Sequence, residues 1–219
     1  MRILILTMIG VFFCVTACVQ APKSDDAQVS DPKVVKQNIP ESKTYNIETN
    51  KSLVTWVGTK PTGRHNGSLN ITKGRLGYKD GNITSGKFDI DMSSLKVLDM
   101  DDENNNNLAG HLMSEEFFKV KQHPKSTFVI TSVVAYKEEG AKPLLKGVTH
   151  TVTGNLTMLG TTKSISFPAK ISINANTIKA EANFNIDRTN WGINYNSDKS
   201  LGDKFIRPDV NIGLNIVAE

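Results

Sequence analysis

From Ile165 to Ile173 every second residue is apolar. Ile165, Phe167, Ala169, Ile171 and Ile173 share one face, with Ser164, Ser166, Pro168, Lys170 and Ser172 on the other. Ile178, Ala180, Ala182, Phe184 and Ile186 repeat the pattern, and Val210, Ile212, Leu214 and Ile216 close the chain with it. A period of two belongs to a β-strand with one face buried. Such a face needs a second apolar layer. Phe88 and Ile90 alternate with Lys87, Asp89 and Asp91, while Phe128, Ile130 and Val134 share a third parity. Val54, Trp56 and Gly58 stand on one side of another strand with Leu53 and Val57 on the other, so that strand is expected to be covered on both sides. Turn signals separate these runs at Lys79-Asp80-Gly81-Asn82, Glu138-Glu139-Gly140, Asn174-Ala175-Asn176 and Gly160. The pattern predicts an all-β domain over residues 44–219, with about eight antiparallel strands in a barrel or sandwich. Pro168 inside a strand favours an edge, a bulge or a rim.

One stretch breaks the alternation. Asn107 to Val120 suits one or two short helices, with Leu108, Leu112 and Met113 on a turn, Ser114 able to cap a second turn, and Phe117 and Phe118 packing down over a barrel mouth or edge. Upstream, Asp99 to Asn107 reads as an exposed acidic loop. Its spacing resembles a calcium loop, but Asn104 stands where such a loop needs glycine and no flanking helices are evident.

The N-terminus reads as a leader. Arg2 precedes an apolar run from Ile3 to Val15 that is short for a membrane span, and Val15-Thr16-Ala17-Cys18 resembles a lipobox. Residues 1–17 are therefore expected to be a lipoprotein signal peptide and Cys18 to be acylated, palmitate included, as the anchored first residue. The two cysteines, Cys14 and Cys18, leave no thiol for a disulfide. Residues 18–43, with Pro22, Pro32 and Pro40 and no apolar period, read as a flexible tether. The expected location is the bacterial cell envelope. Export runs through the inner membrane, and Val19 after the cysteine favours the outer membrane as the site of anchorage. The oligomeric state is left open, a dimer included.

The formal charge of +4 is scattered rather than gathered in a stripe with aromatics, so nucleic acid is not an expected partner. His65, His111, His123 and His150 have no zinc-like spacing, and no metal or catalytic set stands out: no nucleophile elbow, His-Glu-x-x-His or phosphate loop is present. Asp187 and Arg188 read as a structural pair beside Trp191. Asn-x-Ser/Thr triplets at Asn66, Asn82 and Asn155 are discounted in a bacterial setting. The chain is expected not to be an enzyme. By periodicity alone, its aromatic residues fill a core.

Together these blocks resemble the YceI-like family of exported lipid-binding proteins. The resemblance runs from Tyr45-Asn46-Ile47 and Ser52-Leu53-Val54-Thr55-Trp56, through Gly86-Lys87-Phe88-Asp89-Ile90-Asp91, His111-Leu112-Met113-Ser114-Glu115-Glu116-Phe117-Phe118 and His123-Pro124, to Val152-Thr153-Gly154-Asn155-Leu156-Thr157-Met158-Leu159-Gly160 and Phe184-Asn185-Ile186-Asp187-Arg188-Thr189-Asn190-Trp191-Gly192. It implies a lipocalin-like barrel with an elongated apolar cavity and an amphiphilic ligand: a polyisoprenoid, a quinone or a fatty-acid-like lipid. Trp56, Phe88, Leu112, Phe117, Phe118, Phe128, Phe167, Phe184 and Trp191 become the cavity candidates, and His65 and His111 the head-group candidates. The stretch Thr49 to Trp56 lacks the histidine many members carry there, and Met113 stands where many carry arginine, so ligand identity is not carried over. A barrel filled by its own side chains, serving a structural or protein-interaction role, stays as the alternative.

Overall fold

The structure, a computed structural model, describes residues 22–35, 43–138 and 143–219. The expected signal peptide over residues 1–17, Cys18 and part of the Glu138-Glu139-Gly140 turn lie outside them. Among the described residues, eight long strands close an antiparallel barrel: β4 (Leu53–Lys60), β5 (Gly63–Lys79), β6 (Asn82–Val97), β7 (Lys125–Ala135), β8 (His150–Met158), β9 (Thr161–Ile173), β10 (Ile178–Asp187) and β11 (Asp209–Ala218). Neighbours in sequence pair in order, β11 pairs back with β4, and β10 completes the ring between β9 and β11. Three shorter strands attach to it: β1 (Asp25–Asp26), β2 (Gln28–Ser30) and β3 (Lys43–Asn46).

The hairpins are local consequences of the sequence. Asp80-Gly81 joins β5 to β6 and Leu159-Gly160 joins β8 to β9, each pair with positive φ as two-residue turns between twisted strands require. Asn174 Oδ1 accepts from the amides of Asn176 (3.0 Å) and Thr177 (2.7 Å), folding the β9–β10 turn. Register shifts after Ser68, Ile71 and Gly77 bend the long β5–β6 pair around the barrel.

The acidic run does not form a loop. Asp101 caps a helix, α1 (Asp102–Met113), accepting from the Asn104 amide at 2.9 Å. That hydrogen bond and a second from the Asn104 side chain hold the Asp101 carboxyl below its ordinary range. Asp102 and Glu103 then fill the first turn, where the helix dipole favours negative charge. The helix thus begins and ends earlier than the 107–120 window. Ser114 closes it, and its Oγ accepts from the Glu116 amide at 3.3 Å to start the following turn.

Of the stretch expected as a tether over 18–43, residues 18–21 and 36–42 lie outside the described residues, and residues 25–30 are not free. Residues 25–30 run along the barrel wall: β1 pairs in parallel with β10 and β2 antiparallel with β9. Six residues with one alanine and one valine between acids carry no periodic signal of their own. The open seam they fill is a property of the barrel.

Asp89 points outward from β6 yet is buried. Lys125 (3.3 Å) and Lys73 (3.5 Å) cover it, and Thr127 Oγ1 donates to it at 3.3 Å. Burial pushes its carboxyl up, but the Lys125 hydrogen bond and the charges of Lys125, Lys87 and Lys73 outweigh that and hold it below its ordinary value. An unfolded aspartate titrates near pH ~3.9. The stabilisation is therefore complete above that pH and is lost as pH falls through the lower folded value. Asp89→Asn is expected to cost about 1–3 kcal/mol at neutral pH and far less in strong acid. Urea unfolding at both pH values checks this, and an equal loss at both would refute it.

Candidate functional site: an apolar cavity along the barrel axis

The inward faces of all eight strands do not meet at the centre. They enclose a cavity of about 210 Å³. A barrel filled by its own side chains is therefore not what the chain forms. On β10 the lining runs from Ala180 to Ile186, about 20 Å along a strand at ~3.3 Å per residue. Ser126, Glu181 and Arg188 are the lining residues with polar side chains, but every atom facing the space is apolar. Ser126 Oγ is occupied by Met92 Sδ at 3.0 Å, and Glu181 lies 3.6 Å from Lys170 outside the wall.

Seven of the nine residues marked as cavity candidates line this space: Trp56, Phe88, Leu112, Phe118, Phe128, Phe167 and Phe184. Four phenylalanines form a belt around half the barrel. Ring centroids are 6.3 Å apart from Phe88 to Phe128 and 5.9 Å from Phe128 to Phe167, and Phe167 stacks on Phe184 at 4.1 Å. Phe128 is on β7 and Phe167 on β9, so the belt must cross β8. It does so over Gly154, where a Cβ would lie 2.6 Å from Phe128 Cε2. Trp56 lies likewise over its cross-strand partner Gly67, where a Cβ would meet the indole at 2.6 Å. The two glycines let the largest rings lie flat on the wall and leave the axis open.

Phe117 and Trp191 do not line the cavity. After α1, the adjacent residues Phe117 and Phe118 diverge. Phe118 turns inward, while Phe117 packs between His111 (5.4 Å), Tyr195 (5.0 Å) and the Arg188 guanidinium (5.7 Å). Trp191 sits in the 3-10 turn Arg188–Trp191, fully buried, its Nε1 donating to the Leu156 carbonyl at 3.0 Å. The head-group candidates stand outside the lining too. His65 Nδ1 is 3.2 Å from Asp99 Oδ2, and His111 stacks edge-on with Tyr195 while its Nε2 is 3.2 Å from Glu116 Oε2. Each of these contacts is an ion pair when the imidazole is protonated.

Asp187 and Arg188 act separately rather than as a pair. Asp187 accepts from the Thr189 amide (2.8 Å) and hydroxyl (2.6 Å). The buried Arg188 donates to four backbone carbonyls: Ile193, Tyr195 (2.9 Å), Ile206 (2.9 Å) and Arg207 (3.4 Å). Burial lowers its pKa, and the charge of Asp187 works the other way. Arg188 thus ties the 193–207 connection across one end of the cavity, together with Leu112, Phe118 and Ile193. The alternation had placed Ala169 and Ala182 on the apolar face, but this arginine carried no sign of its role there. No group of His, Cys, Asp and Glu that could hold a metal occurs among the described residues.

The structure is similar to that of BcnA from Burkholderia cenocepacia, at 19% identity and a TM-score of 0.61, over 79% of this chain and 99% of that one. It is also similar to a polyisoprenoid-binding domain from Saccharophagus degradans implicated in plant cell wall breakdown, at 14% identity and a TM-score of 0.56, over 80% and 97%. At these identities the likeness speaks for the fold alone. By sequence the chain is 31% identical over 105 residues to UPF0312 proteins of Pectobacterium atrosepticum and Pectobacterium carotovorum. It spans about half the length of those relatives, 47% in each case, and the match takes up 48% of this chain. The model of the YceI-like domain matches residues 45–218, nearly all of the barrel. The chain belongs to the YceI-like family.

Proposed function

We propose that this protein binds an amphiphilic lipid, its chain most simply an isoprenoid, in the barrel cavity, and performs no chemistry on it. The observation that carries this reading is an elongated space whose facing atoms are all apolar. Apolar area removed from water contributes roughly 25 cal/mol per Å², and nothing in the lining demands a particular polar partner. The fold is shared with a domain described as polyisoprenoid-binding, which supports the choice of chain. Quinones and fatty-acid-like lipids offer the same apolar chemistry to this lining. We propose also that Cys18 carries the acyl anchor and places the domain in the cell envelope, on the outer membrane in preference to the inner. The support is the leader-like run from Ile3 to Val15 ahead of Val15-Thr16-Ala17-Cys18.

Native mass spectrometry of the full chain, expressed with export and purified in mild detergent, tests both readings. The expected spectrum shows a covalent acyl increment that Cys18→Ser abolishes, and a separate increment from a hydrophobic molecule released on denaturation. Labelled fatty acid persisting in Cys18→Ser would overturn the anchor. A protein recovered empty, and unable to take up isoprenols, quinones or fatty acids, would overturn the ligand.

A further inference from the structure

The barrel ring is not hydrogen-bonded evenly. β9 and β10 pair from Ile173 with Ile178 only as far as Ala169 with Ala182. Beyond that point the two strands continue, to Thr161 and Asp187, with no ladder between them. Pro168, which has no amide hydrogen to give, stands at the fork. On the inside, the stacked pair Phe167–Phe184 spans the opening. On the outside, the chain's own residues 25–30 fill it. Asp25 and Asp26 pair with Phe184 and Asn185, the Ala27 amide donates to the Asn185 carbonyl at 2.9 Å, and Gln28, Val29 and Ser30 pair with Ser166, Ile165 and Ser164. These residues precede the family domain, which begins at residue 45.

We propose that residues 25–30 are a removable wall strand over a lateral port between β9 and β10, through which an apolar chain passes between a lipid surface and the cavity; this rests on the lipid-binding reading above. Four observations support it. The strand buries one small apolar side chain, Ala27, and packs a second, Val29, against the core. Its acidic end meets like charge. Burial first, then the carboxylates of Asp187 and Asp26, push the Asp209 carboxyl up, with the charges of Arg207 and Lys199 working the other way. The residues exposed by its removal, Ile165, Phe167, Phe184 and Ile186, line the cavity directly. The other route, through the end of the barrel beside α1, requires breaking the hydrogen bonds from Arg188 to four carbonyls. The strand has side-chain ties of its own, from the Leu144 amide to Asp25 Oδ2 (3.0 Å), from Asn185 Nδ2 to Asp26 Oδ1 (3.2 Å) and between Lys33 and Asn155 (2.9 and 2.7 Å), but they lie at exposed or half-buried positions, whereas Arg188 is buried.

The position of Cys18 gives the port its partner. It lies seven residues before Asp25, and seven residues reach about 25 Å at full extension. An acyl group on Cys18 holds the seam within that distance of the bilayer, whereas a tether free to residue 43 would let the barrel turn any face toward it.

The test is a reversible staple. Gln28 and Ser166 are cross-strand partners whose neighbours Val29, Ile165 and Phe167 turn toward the core, so both face outward. Gln28→Cys with Ser166→Cys in the full chain, with the bond located by peptide mapping, locks the strand when oxidised. Transfer of dansyl-labelled farnesol from phosphatidylethanolamine–phosphatidylglycerol vesicles is then timed. The expected result is transfer slowed about tenfold or more in the oxidised protein, unchanged affinity at equilibrium, and full recovery on reduction, because a gate changes rates and not end points. Val29→Ser, which weakens the strand without a new bond, should accelerate transfer. Equal rates in oxidised and reduced protein, with binding intact, overturn the port alone. Binding in neither state overturns the lipid reading and the port with it. Amide exchange gives an arm independent of any probe: the Ala27 amide is expected to exchange far faster than amides of the β10–β11 ladder. Exchange of both only through global unfolding overturns the removable strand.

Discussion

Arg188→Met is expected to destabilise the domain by about 3 kcal/mol, because it leaves several buried backbone carbonyls without their donor. The side chain is almost fully inaccessible, and its donors satisfy the carbonyls of Ile193, Tyr195, Ile206 and Arg207. Methionine fills much of the volume but returns none of those hydrogen bonds, and each orphaned buried carbonyl costs about 1–3 kcal/mol. Against this stands the desolvation of a cation that has no carboxylate in contact among the described residues, a penalty methionine removes. Four satisfied carbonyls outweigh it in this account. Urea unfolding of both proteins decides the matter, and a loss below about 1 kcal/mol would mean that the two terms cancel.

Ala182→Phe is expected to have the opposite profile, leaving the fold and removing the function. Ala182 lines the cavity beside the Phe167–Phe184 stack, and the adjoining space is empty. A phenyl ring there occupies room that a ligand chain would take. Overpacking in cores costs about 1–3 kcal/mol, and here the cavity relieves part of that. Affinity for isoprenols is expected to fall about tenfold or more, equivalent to at least ~1.4 kcal/mol, with little change in melting temperature. Undiminished affinity would place the ligand elsewhere.

The alternation made the barrel legible, because a half-buried strand has no other way to write its sequence. Ile165 to Ile171 and Ala180 to Ile186 put the same residues on the cavity side that the period of two had grouped. Parity put Phe88, Phe128, Phe167 and Phe184 on apolar faces, while the expectation that they line a cavity came from the family resemblance. Phe117 and Phe118 show where that logic stops. In an irregular turn, with Lys119 at φ 45°, neighbouring residues have no fixed period, and only the packed structure shows which ring turns inward. Trp191 was misplaced for a related reason: a 3-10 turn carries it behind β8, where its indole N–H finds the Leu156 carbonyl. The strand at residues 25–30 was illegible because its partner edges exist only once β9 and β10 have diverged. The start of α1 was hidden by reading acidic residues as solvent-seeking, when their place ahead of a helix made them a cap.

If an apolar chain occupies the barrel axis, Trp56 reports on it directly. Trp56 lines the cavity, while Trp191, the second of the two tryptophans, is sealed behind the wall. Bromine quenches indole fluorescence only near contact, so titration with a brominated isoprenoid alcohol distinguishes the two. Saturable quenching at one molecule per chain is expected, lost in Trp56→Phe although mass spectrometry still finds the ligand bound. Quenching that never saturates, or that persists unchanged in Trp56→Phe, would contradict occupancy of the axis.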